Sequence, residues 1–304
     1  MEAASRLPEA EFYERLEEGR VRCHLCPQLC LIKEGRLGFC FIRQNKGGRL
    51  YPLLYGRVAS AYLDPIEKKP LYHFHPGSTI FSIGGLGCNL RCPWCQNWNI
   101  AQPKDAFPGM AVEEIIGQFT EELSPERVVE LAREYAGYGC VGVAYTYNEP
   151  FIWFEYVQAV SRLVREAGLK NVLVTNGYVE EAPLRKLLPL IDAMNIDVKG
   201  YSPEFYRRVA GRLEPVLRTA EISKTAGCHI EITNLMIPTL NDSVEQINAL
   251  VEWIAERLGP DTPLHFSRYF PSYKLDVEPT PLETLKRAEA VALEKLDHVH
   301  VGNI

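Results

Sequence analysis

The chain is organised around Phe81-Ser82-Ile83-Gly84-Gly85-Leu86-Gly87-Cys88-Asn89-Leu90-Arg91-Cys92-Pro93-Trp94-Cys95. A short apolar run and three glycines lead into three cysteines with CxxxCxxC spacing, so one loop can bring three thiolates to one centre. Structural zinc normally takes four protein ligands, whereas an iron–sulfur cube held by three thiolates leaves one iron open for a further molecule. The count of three therefore indicates a chemical site. A structural zinc knuckle or three buried thiols is the alternative.

A second group of four cysteines lies upstream, at Cys23, Cys26, Cys30 and Cys40. A CxxC pair, a third thiol and a fourth after a glycine-containing turn are a common way to wrap one metal centre. Zinc and a second iron–sulfur cluster both satisfy this spacing, and four independent buried cysteines are the alternative. Because four thiolates leave no open position, we expect a structural or substrate-positioning role for this centre.

Composition and charge limit the class of protein. The 304 residues are 46% hydrophobic and 24% charged, which is ordinary for a globular chain with a large core. The net charge of -6 and the pI near 5.7 indicate neither a nucleic-acid partner nor an anionic membrane surface. No hydrophobic run approaches the roughly 20 residues of a membrane span. We expect a cytoplasmic protein whose nine cysteines are metal ligands or buried thiols rather than disulfides.

The periodicity of the chain predicts two parts. Residues 1–78 form a cysteine-rich N-terminal segment, with helical spacing over residues 9–19, a hairpin turn at Gly47-Gly48 and a small β excursion up to residue 78. From residue 79 to residue 304, β-branched runs alternate with helical patterns, which is typical of βα units on a parallel sheet. The predicted strands are 79–85, 141–147, 171–175, 193–198, 229–237 and 264–269. The predicted helices are 125–136, 151–167, 180–190, 213–226, 244–258 and 282–295, so the fold class is α/β with a partial barrel of six units.

Polar residues recur where the predicted strands end, and parallel α/β folds bind ligands at those carboxyl ends. Glu149 can accept a hydrogen bond from an ammonium group, Lys199 can pair with a carboxylate, and Asp197 and Asn176 can bind cations or hydroxyl groups. Turn chemistry is the alternative for Glu149 and Asn176, and a buried ion pair is the alternative for Asp197 with Lys199. The paired histidines His73 and His75 are expected to form hydrogen bonds rather than to bind a metal.

The motifs also resemble a known family. CxxxCxxC with Trp94 before the third cysteine resembles the cluster loop of the radical S-adenosylmethionine (SAM) superfamily, and GCNLRCPWCQNW is similar to relatives of pyruvate formate-lyase activating enzyme. The N-terminal cysteine pattern, followed by Arg43 and Asn45, resembles radical SAM enzymes of the AmmeMemoRadiSam-system type. The resemblance implies a partial (β/α)6 radical SAM barrel with a small cysteine-rich N-terminal segment. It also implies that the catalytic Cys88, Cys92 and Cys95 hold a [4Fe-4S] cluster whose fourth iron binds SAM.

The resemblance assigns further residues to the cofactor. Glu149 matches the glutamate of the family's GGE stretch although Tyr147 and Asn148 replace the glycines, Thr175-Asn176-Gly177 matches its TNG, and Asp197-Val198-Lys199 matches its DxK. Val174 stands where the activating enzyme has an aspartate that helps to hold a monovalent cation, so that cation site is altered or absent here. The implied cofactor-binding residues are Trp94, Asn148, Glu149, Thr175, Asn176, Asp197, Lys199 and His265.

The implied function is that of a radical SAM oxidoreductase. A one-electron donor such as flavodoxin or ferredoxin reduces the cluster, SAM is cleaved, and a 5′-deoxyadenosyl radical abstracts hydrogen from a protein, peptide or small-molecule substrate. The likeness to activating enzymes adds a glycyl radical on a partner protein as one option for the product. The alternative is an electron-transfer or structural iron–sulfur or zinc protein without SAM chemistry, which predicts four ligands at both cysteine groups.

Overall fold

The fold is described from a computed structural model, which describes residues 7–304. Strands and helices alternate through most of the chain. The strands are β1 (Tyr13–Arg15), β2 (Val21–Cys23), β3 (Leu31–Ile32), β4 (Arg43–Lys46), β5 (Arg49–Pro52), β6 (Arg57–Val58), β7 (Ser60–Pro65), β8 (Thr79–Gly84), β9 (Glu121–Glu122), β10 (Cys140–Tyr145), β11 (Lys170–Thr175), β12 (Ala193–Asp197), β13 (His229–Met236), β14 (Leu264–Arg268) and β15 (Val299–Gly302). The helices are α1 (Trp98–Ala101), α2 (Pro103–Ala106), α3 (Val112–Phe119), α4 (Pro125–Glu134), α5 (Phe154–Glu166), α6 (Glu181–Leu187), α7 (Pro203–Arg208), α8 (Leu213–Thr225), α9 (Val244–Trp253) and α10 (Leu282–Ala292).

A single sheet of eight strands forms the centre of the molecule. Its order is β15-β14-β13-β12-β11-β10-β8-β7, with β8 and β10 to β15 parallel and β7 antiparallel to β8. The predicted α/β fold with a partial barrel of six βα units is confirmed. Strand β15 adds a seventh parallel strand, and β7 joins the sheet from before residue 79. The domain boundary predicted at residue 78 stays a prediction. One apolar core includes residues from both predicted parts, from Ala10 to Leu296.

The helices that connect the strands begin at the residues that the sequence favours. Ser124 accepts a hydrogen bond from the Arg127 amide (3.2 Å) at the start of α4, and Ser243 accepts one from the Gln246 amide (3.3 Å) at the start of α9. Each helix buries one apolar face, and each fully buried branched side chain contributes roughly 1.5–3 kcal/mol. Between residues 7 and 304, no helix is both long and apolar enough to cross a membrane.

The N-terminal segment is built from short antiparallel pairs. Strands β1, β2 and β3 form a three-stranded sheet, and β4 pairs with β5 through Gly47 and Gly48, whose positive φ values of 63° and 69° fit the predicted hairpin turn. The helical spacing over residues 9–19 was a wrong prediction. Phe12 has a φ of 55°, which a helix does not allow, and the next three residues pair with Val21–Cys23.

Residues 66–74 follow β7 and turn back across the inner face of the sheet, and we name them the floor segment. Ile66 and Leu71 are fully buried against Ile80, Ala144, Val172 and Ala193, which lie on the lower part of four neighbouring strands. The Asn195 side-chain amide donates to the Pro70 carbonyl at 2.8 Å. The Glu231 carboxylate accepts the backbone amides of Tyr72 (3.0 Å) and His73 (2.8 Å). The floor segment therefore closes the lower end of the barrel interior.

Candidate active site

Two glycines set the path of the loop that carries Cys88, Cys92 and Cys95. At Gly87 φ is +84°, and a Cβ atom would lie 2.1 Å from the Cys40 carbonyl oxygen. At Gly84 a Cβ atom would lie 2.7 Å from the Thr146 carbonyl oxygen. Because both obstacles are backbone atoms, a larger residue cannot fit without moving the chain. These glycines therefore fix the path of the chain from the end of β8 to Cys88, the first of the three cysteines.

The three thiols of this loop face one cleft of about 230 Å³. The cleft lies at the carboxyl ends of the strands, as expected for a parallel α/β fold. It brings together five of the eight residues that the resemblance assigned to the cofactor: Trp94, Asn148, Asn176, Asp197 and Lys199. Gln96, Asn97, Tyr147, Thr233 and Ser267 also line it, and the resemblance had assigned none of these five to the cofactor.

The thiols are buried close to one another, which disfavours their ionised forms. Burial, followed by the charge of Glu149, raises the pKa of Cys88. Burial raises the pKa of Cys92 to about 12 and also raises the pKa of Cys95. Thiolates in such a place need a cation, and iron binding displaces the thiol proton. Three thiols, an open polar cleft and acceptors beside it therefore fit a [4Fe-4S] cluster with one exchangeable position.

Glu149 lies just behind the surface of the cleft, where its carboxylate accepts three hydrogen bonds. Its Oε1 accepts hydrogen bonds from the Thr175 hydroxyl (2.8 Å) and the Phe151 amide (2.9 Å), and its Oε2 accepts the Asn176 amide (2.8 Å). Burial raises the pKa of Glu149 to about 7. The predicted cofactor residues Glu149 and Thr175 are both buried and are not among the cleft-lining residues. In this structure they position Asn176, and their direct contact with a cofactor stays a prediction.

Asn176 links this network to the cysteine loop. Its side-chain Nδ2 donates to Asn89 Oδ1 at 2.9 Å and lies 3.7 Å from the Cys88 sulfur. Its Oδ1 accepts the Tyr178 amide at 2.9 Å, which fixes the orientation of the side chain. Asn148 is fixed in the same way, because its Oδ1 accepts the Gly85 amide (3.1 Å) and its Nδ2 donates to the Gly87 carbonyl (3.0 Å).

Asp197 and Lys199, at the end of the neighbouring strand β12, form an ion pair that lines the cleft. Lys199 Nζ lies 2.9 Å from Asp197 Oδ2. Burial by itself lowers the pKa of Lys199, but the charge of Asp197 opposes this effect and the net pKa is raised. The ion pair proposed as the alternative to cofactor binding is therefore present, and it lines the cleft beside the thiols. Both groups offer charges to the amino and carboxylate groups of a bound amino acid.

A second, larger cavity of about 630 Å³ lies between the cleft and the floor segment. The two cavities share seven lining residues: Gln96, Asn97, Tyr147, Asn148, Asp197, Thr233 and Ser267. Thr233 has a buried hydroxyl that lacks a hydrogen-bond partner within residues 7–304. His265 lines this inner cavity rather than the cleft, and its Nε2 lies 2.6 Å from Glu231 Oε2.

The sequence reasoning did not identify the polar groups at the bottom of this inner cavity. The Tyr147 hydroxyl donates to Asp64 Oδ2 at 2.5 Å, and Lys68 (2.9 Å) and Lys69 (2.7 Å) pair with the same carboxylate. Lys69 also lies 4.6 Å from the centre of the Tyr147 ring. Tyr147 has a φ of 71°, which is uncommon for a bulky residue and marks strain at a functional site. In the sequence, the position of Tyr147 directly before the predicted cofactor residue Asn148 could have identified it as a site residue.

The hydrogen bonding expected for His73 is present in the structure. His73 Nε2 lies 2.9 Å from His300 Nε2, so the floor segment is hydrogen-bonded to β15. His298 packs against the His73 ring, with 4.3 Å between the ring centres. His229 Nε2 lies 2.9 Å from Glu231 Oε1. His73 and His229 therefore form side-chain hydrogen bonds, as expected for His73.

The predicted metal ligands of the N-terminal segment come together. Cys23, Cys26, Cys30 and Cys40 line one small cavity with apolar walls. Burial, followed by the charge of Cys23, raises the pKa of Cys26 well above its ordinary value. Burial likewise raises the pKa of Cys40 to about 11. The four thiols therefore line one cavity, but within residues 7–304 no three His, Cys, Asp or Glu side chains converge closely enough to hold a metal ion, so metal binding here stays a prediction.

Comparison with known proteins identifies relatives over most of the chain. Residues 82–254 match the family model described as the Radical SAM superfamily. "Uncharacterized protein MJ0808" of Methanocaldococcus jannaschii is 47% identical over 97% of this chain and 85% of its own length. GTP 3′,8-cyclase of Lactiplantibacillus plantarum is 26% identical over 51% of this chain and 44% of its own length, so the matched part is less than half of that enzyme.

Solved structures share the fold. The crystal structure of a radical SAM methyltransferase from Sphaerobacter thermophilus has a TM-score of 0.56 and 15% sequence identity, and the match covers 75% of this chain and 67% of that chain. At this identity the likeness concerns the arrangement of strands and helices. It agrees with the order of parallel strands described above.

Proposed function

Because the chain belongs to the radical SAM superfamily, whose cofactors are a [4Fe-4S] cluster and SAM, we propose that it abstracts hydrogen from a small polar molecule. The substrate would occupy the inner cavity between the cleft and the floor segment. One observation carries this proposal: the three thiols and polar residues from the ends of five strands face one cleft, which adjoins a second cavity inside the barrel.

The residues of the chain take distinct parts in this reaction. When bound, the reduced cluster and SAM supply a 5′-deoxyadenosyl radical, and a flavodoxin- or ferredoxin-type protein supplies the electron. Cys88, Cys92 and Cys95 hold the cluster. Asp197 and Lys199 bind the charged groups of the methionyl part, and Trp94 packs beside the adenine. A bound substrate in the inner cavity would displace water from it, which would protect the reactive species from side reactions.

The inner cavity supports a small substrate rather than a glycyl-radical partner protein. Its volume of about 630 Å³ lies within the usual range for small-molecule sites. Its charged side chains are paired within the protein, as Lys69 with Asp64 and Asp197 with Lys199 illustrate. The unpartnered hydroxyl of Thr233 is available to a ligand at the boundary of the two cavities. Hydroxyl and amide groups on the substrate would match this wall.

The first experiment tests SAM cleavage. Anaerobically reconstituted protein with SAM and dithionite should form 5′-deoxyadenosine, and Cys92→Ala should abolish this product because the cluster loses one of its three ligands. Cys140→Ala is the matched control, since Cys140 is a buried thiol outside both cysteine groups. Equal product from wild type and Cys92→Ala would contradict the assignment and favour a protein without SAM chemistry.

A second experiment tests the size of the substrate. Extract of the source organism is divided into a protein fraction and a small-molecule fraction, and each is added to the reconstituted enzyme. The small-molecule fraction should increase 5′-deoxyadenosine formation above the uncoupled rate. If only the protein fraction increases 5′-deoxyadenosine formation, the result would contradict a small-molecule substrate and favour the function of an activating enzyme.

A further inference from the structure

Three polar residues lie side by side on neighbouring strands at the wall of the inner cavity. Thr233 on β13 is in register with Asp197 on β12 and with His265 on β14. Residues in register on neighbouring parallel strands point to the same face of the sheet, because side chains alternate between the two faces along every strand. All three residues line the inner cavity, so this face is the interior of the barrel.

Glu231, two residues before Thr233 on the same face of β13, fixes the orientation of His265. It is fully buried, and its Oε2 lies 2.6 Å from His265 Nε2. It also accepts hydrogen bonds from His229 and from two backbone amides of the floor segment. Burial by itself raises the pKa of Glu231, but the hydrogen bonds from His229 and His265 outweigh this effect and lower the pKa to about 2. The carboxylate is therefore ionised at neutral pH and can only accept, so Nε2 of His265 carries a proton.

This hydrogen bond determines which nitrogen of His265 is left for a ligand. A neutral imidazole carries one proton, so donation from Nε2 to Glu231 leaves a lone pair on Nδ1. The ring makes no other hydrogen bond within residues 7–304. Tyr72 and His300 pack against it, with 4.8 Å and 5.0 Å between the ring centres, and hold it in place. His265 therefore offers a hydrogen-bond acceptor to a molecule in the inner cavity.

Thr233 is the second polar residue on this wall with a free hydrogen-bonding group. It is 7% exposed, and its hydroxyl lacks a partner within the part of the chain that the structure describes, residues 7–304. Buried hydroxyl groups in folded proteins normally have a partner, so a ligand group beside Thr233 would complete its hydrogen bonding. Thr233 lines both the cleft and the inner cavity, whereas His265 lines the inner cavity alone. A group that reaches both residues therefore lies at the boundary with the cleft.

The charges around the inner cavity balance one another. The charged residues that line it, together with their ion-pair partners, are Lys68, Lys69, Lys199, Asp64, Glu67 and Asp197. Five of these six are joined in ion pairs, and Glu67 accepts the Gly77 amide at 2.6 Å. An anionic substrate would meet no unpaired cation among them, and the charge of Glu231 behind His265 would repel it. The wall therefore suits an uncharged molecule.

We propose that Thr233 and His265 bind a hydroxyl group of an uncharged, hydroxyl-bearing substrate such as a polyol. A hydroxyl group donates and accepts at one atom, so it can donate to Nδ1 of His265 while its oxygen accepts from the Thr233 hydroxyl. The proposal rests on the proposed function, because the carbon that carries this hydroxyl lies at the boundary with the cleft, where hydrogen is abstracted. It gives His265 a role toward the substrate in place of the cofactor role that the resemblance implied.

The chemistry of the stimulating compound tests the substrate class. The small-molecule fraction of the extract is passed over an anion-exchange and a cation-exchange resin at neutral pH, and the compound that increases 5′-deoxyadenosine formation should stay in the flow-through. Treatment of the flow-through with acetic anhydride, which esterifies hydroxyl groups, should abolish the increase, and mild alkaline hydrolysis of the esters should restore it. Retention on either resin would overturn the uncharged substrate, and an increase that survives acetylation would overturn the hydroxyl group.

Two variants test the residues. Thr233→Val removes the hydroxyl but keeps the shape of the side chain, and His265→Gln keeps an amide donor for Glu231 but lacks the acceptor at Nδ1. With saturating SAM, each should need roughly three- to tenfold more of the small-molecule fraction for half-maximal 5′-deoxyadenosine formation, because one hydrogen bond is lost. Thr225→Val, at an exposed position on α8, is the matched control and should behave like wild type.

A titration with SAM shows whether His265 acts on the substrate or on the cofactor. The SAM affinity of His265→Gln should equal that of wild type, because His265 lines the inner cavity and not the cleft. A weaker SAM affinity would assign His265 to the cofactor and overturn the proposal, as would unchanged half-saturation in both variants. If wild type itself does not respond to the small-molecule fraction, the proposed function fails instead, so the two failures are distinguishable.

Discussion

At the residue scale, the hydrogen bonds of Glu149 lead us to expect that it acts on cofactor binding indirectly, through Asn176. Both of its carboxylate oxygens are used by Thr175, Phe151 and Asn176, and it lies behind the surface of the cleft. Glu149→Ala and Asn176→Ala should each weaken SAM binding by roughly ten- to hundredfold without loss of iron, which corresponds to about 1.5–3 kcal/mol. Equilibrium titration of the reconstituted protein with SAM measures this effect.

The double variant separates an indirect role from a direct one. If Glu149 acts through Asn176, the variant that carries both changes should bind SAM no more weakly than Asn176→Ala alone. Additive losses would contradict the indirect role and show that Glu149 contacts SAM itself. Glu181→Ala, at an exposed position on α6, is the control and should bind like wild type.

Lys199 gives a second prediction at this scale. Its ammonium group lies in the cleft beside Asp197, where it can pair with the methionyl carboxylate. Lys199→Met keeps most of the apolar stem and removes the charge, so SAM affinity should fall roughly ten- to hundredfold. Lys170→Met is the control, because Lys170 pairs with Asp192 away from both cavities. If Lys199→Met binds SAM as tightly as wild type, the methionyl carboxylate must bind elsewhere than beside Lys199.

The sequence predicted those site residues that belong to local motifs. Cys88, Asn148, Asn176 and Lys199 follow strands directly, so their position along the chain also determines their position in the fold. Asp64, Lys69 and Glu231 had no such signal, because each acquires its role from a partner on another element. Tyr147, for example, bonds Asp64, which is 83 residues away. His265 is the second residue of β14 rather than a residue at its carboxyl end, and its side chain lies against Glu231 beside the inner cavity.

At the scale of single elements, the cysteine loop depends on Gly87 for two separate reasons. Its φ of +84° disfavours other residues, and a Cβ atom would collide with the Cys40 carbonyl. Gly87→Ala should therefore lower the iron content of the cluster site and the midpoint of thermal unfolding. Gly109→Ala is a matched control, since Gly109 also has a φ of +84° but no atom stands within 4 Å of its Cβ position. Equal effects in both variants would show that backbone strain alone matters.

The periodic elements were predicted well and the short ones were not. The six predicted barrel strands agree with the structure within two residues at each end, because buried parallel strands are continuous β-branched runs bounded by turns. Strand β15 has only four residues, two of which are His300 and Gly302, so it shows no clear strand pattern. Over residues 9–19 the apolar spacing fitted a helix, but pairing with β2 determined the conformation.

At the scale of the whole molecule, the contact between the floor segment and β15 makes stability depend on pH. Burial, followed by His265 and His73, lowers the pKa of His300 to about 4 from its ordinary value of 6.5. Between these values the unfolded chain binds more protons than the folded protein, so stability falls as the pH drops from about 6.5 towards 4. Above about 6.5 this group has no effect on the pH dependence.

Replacement of His300 tests this effect. Between pH 7.5 and 5.5, wild type should lose about 1 kcal/mol more unfolding free energy than His300→Gln, which cannot titrate. Urea unfolding under anaerobic conditions at the two pH values measures the difference. His75→Gln, an exposed histidine just beyond the floor segment, should retain the wild-type dependence. An identical pH dependence in wild type and His300→Gln would exclude His300 as its source.

The bond between His73 and His300 also has a consequence for synthesis on the ribosome, because its two partners are 227 positions apart. At typical elongation rates β15 is made roughly 10 to 45 s after the floor segment. During this interval both cysteine groups have already been translated, while the edge of the barrel that β15 completes is still missing. We therefore expect the thiols of Cys88, Cys92 and Cys95 to be accessible for cluster assembly on the nascent chain before β15 completes this edge of the barrel.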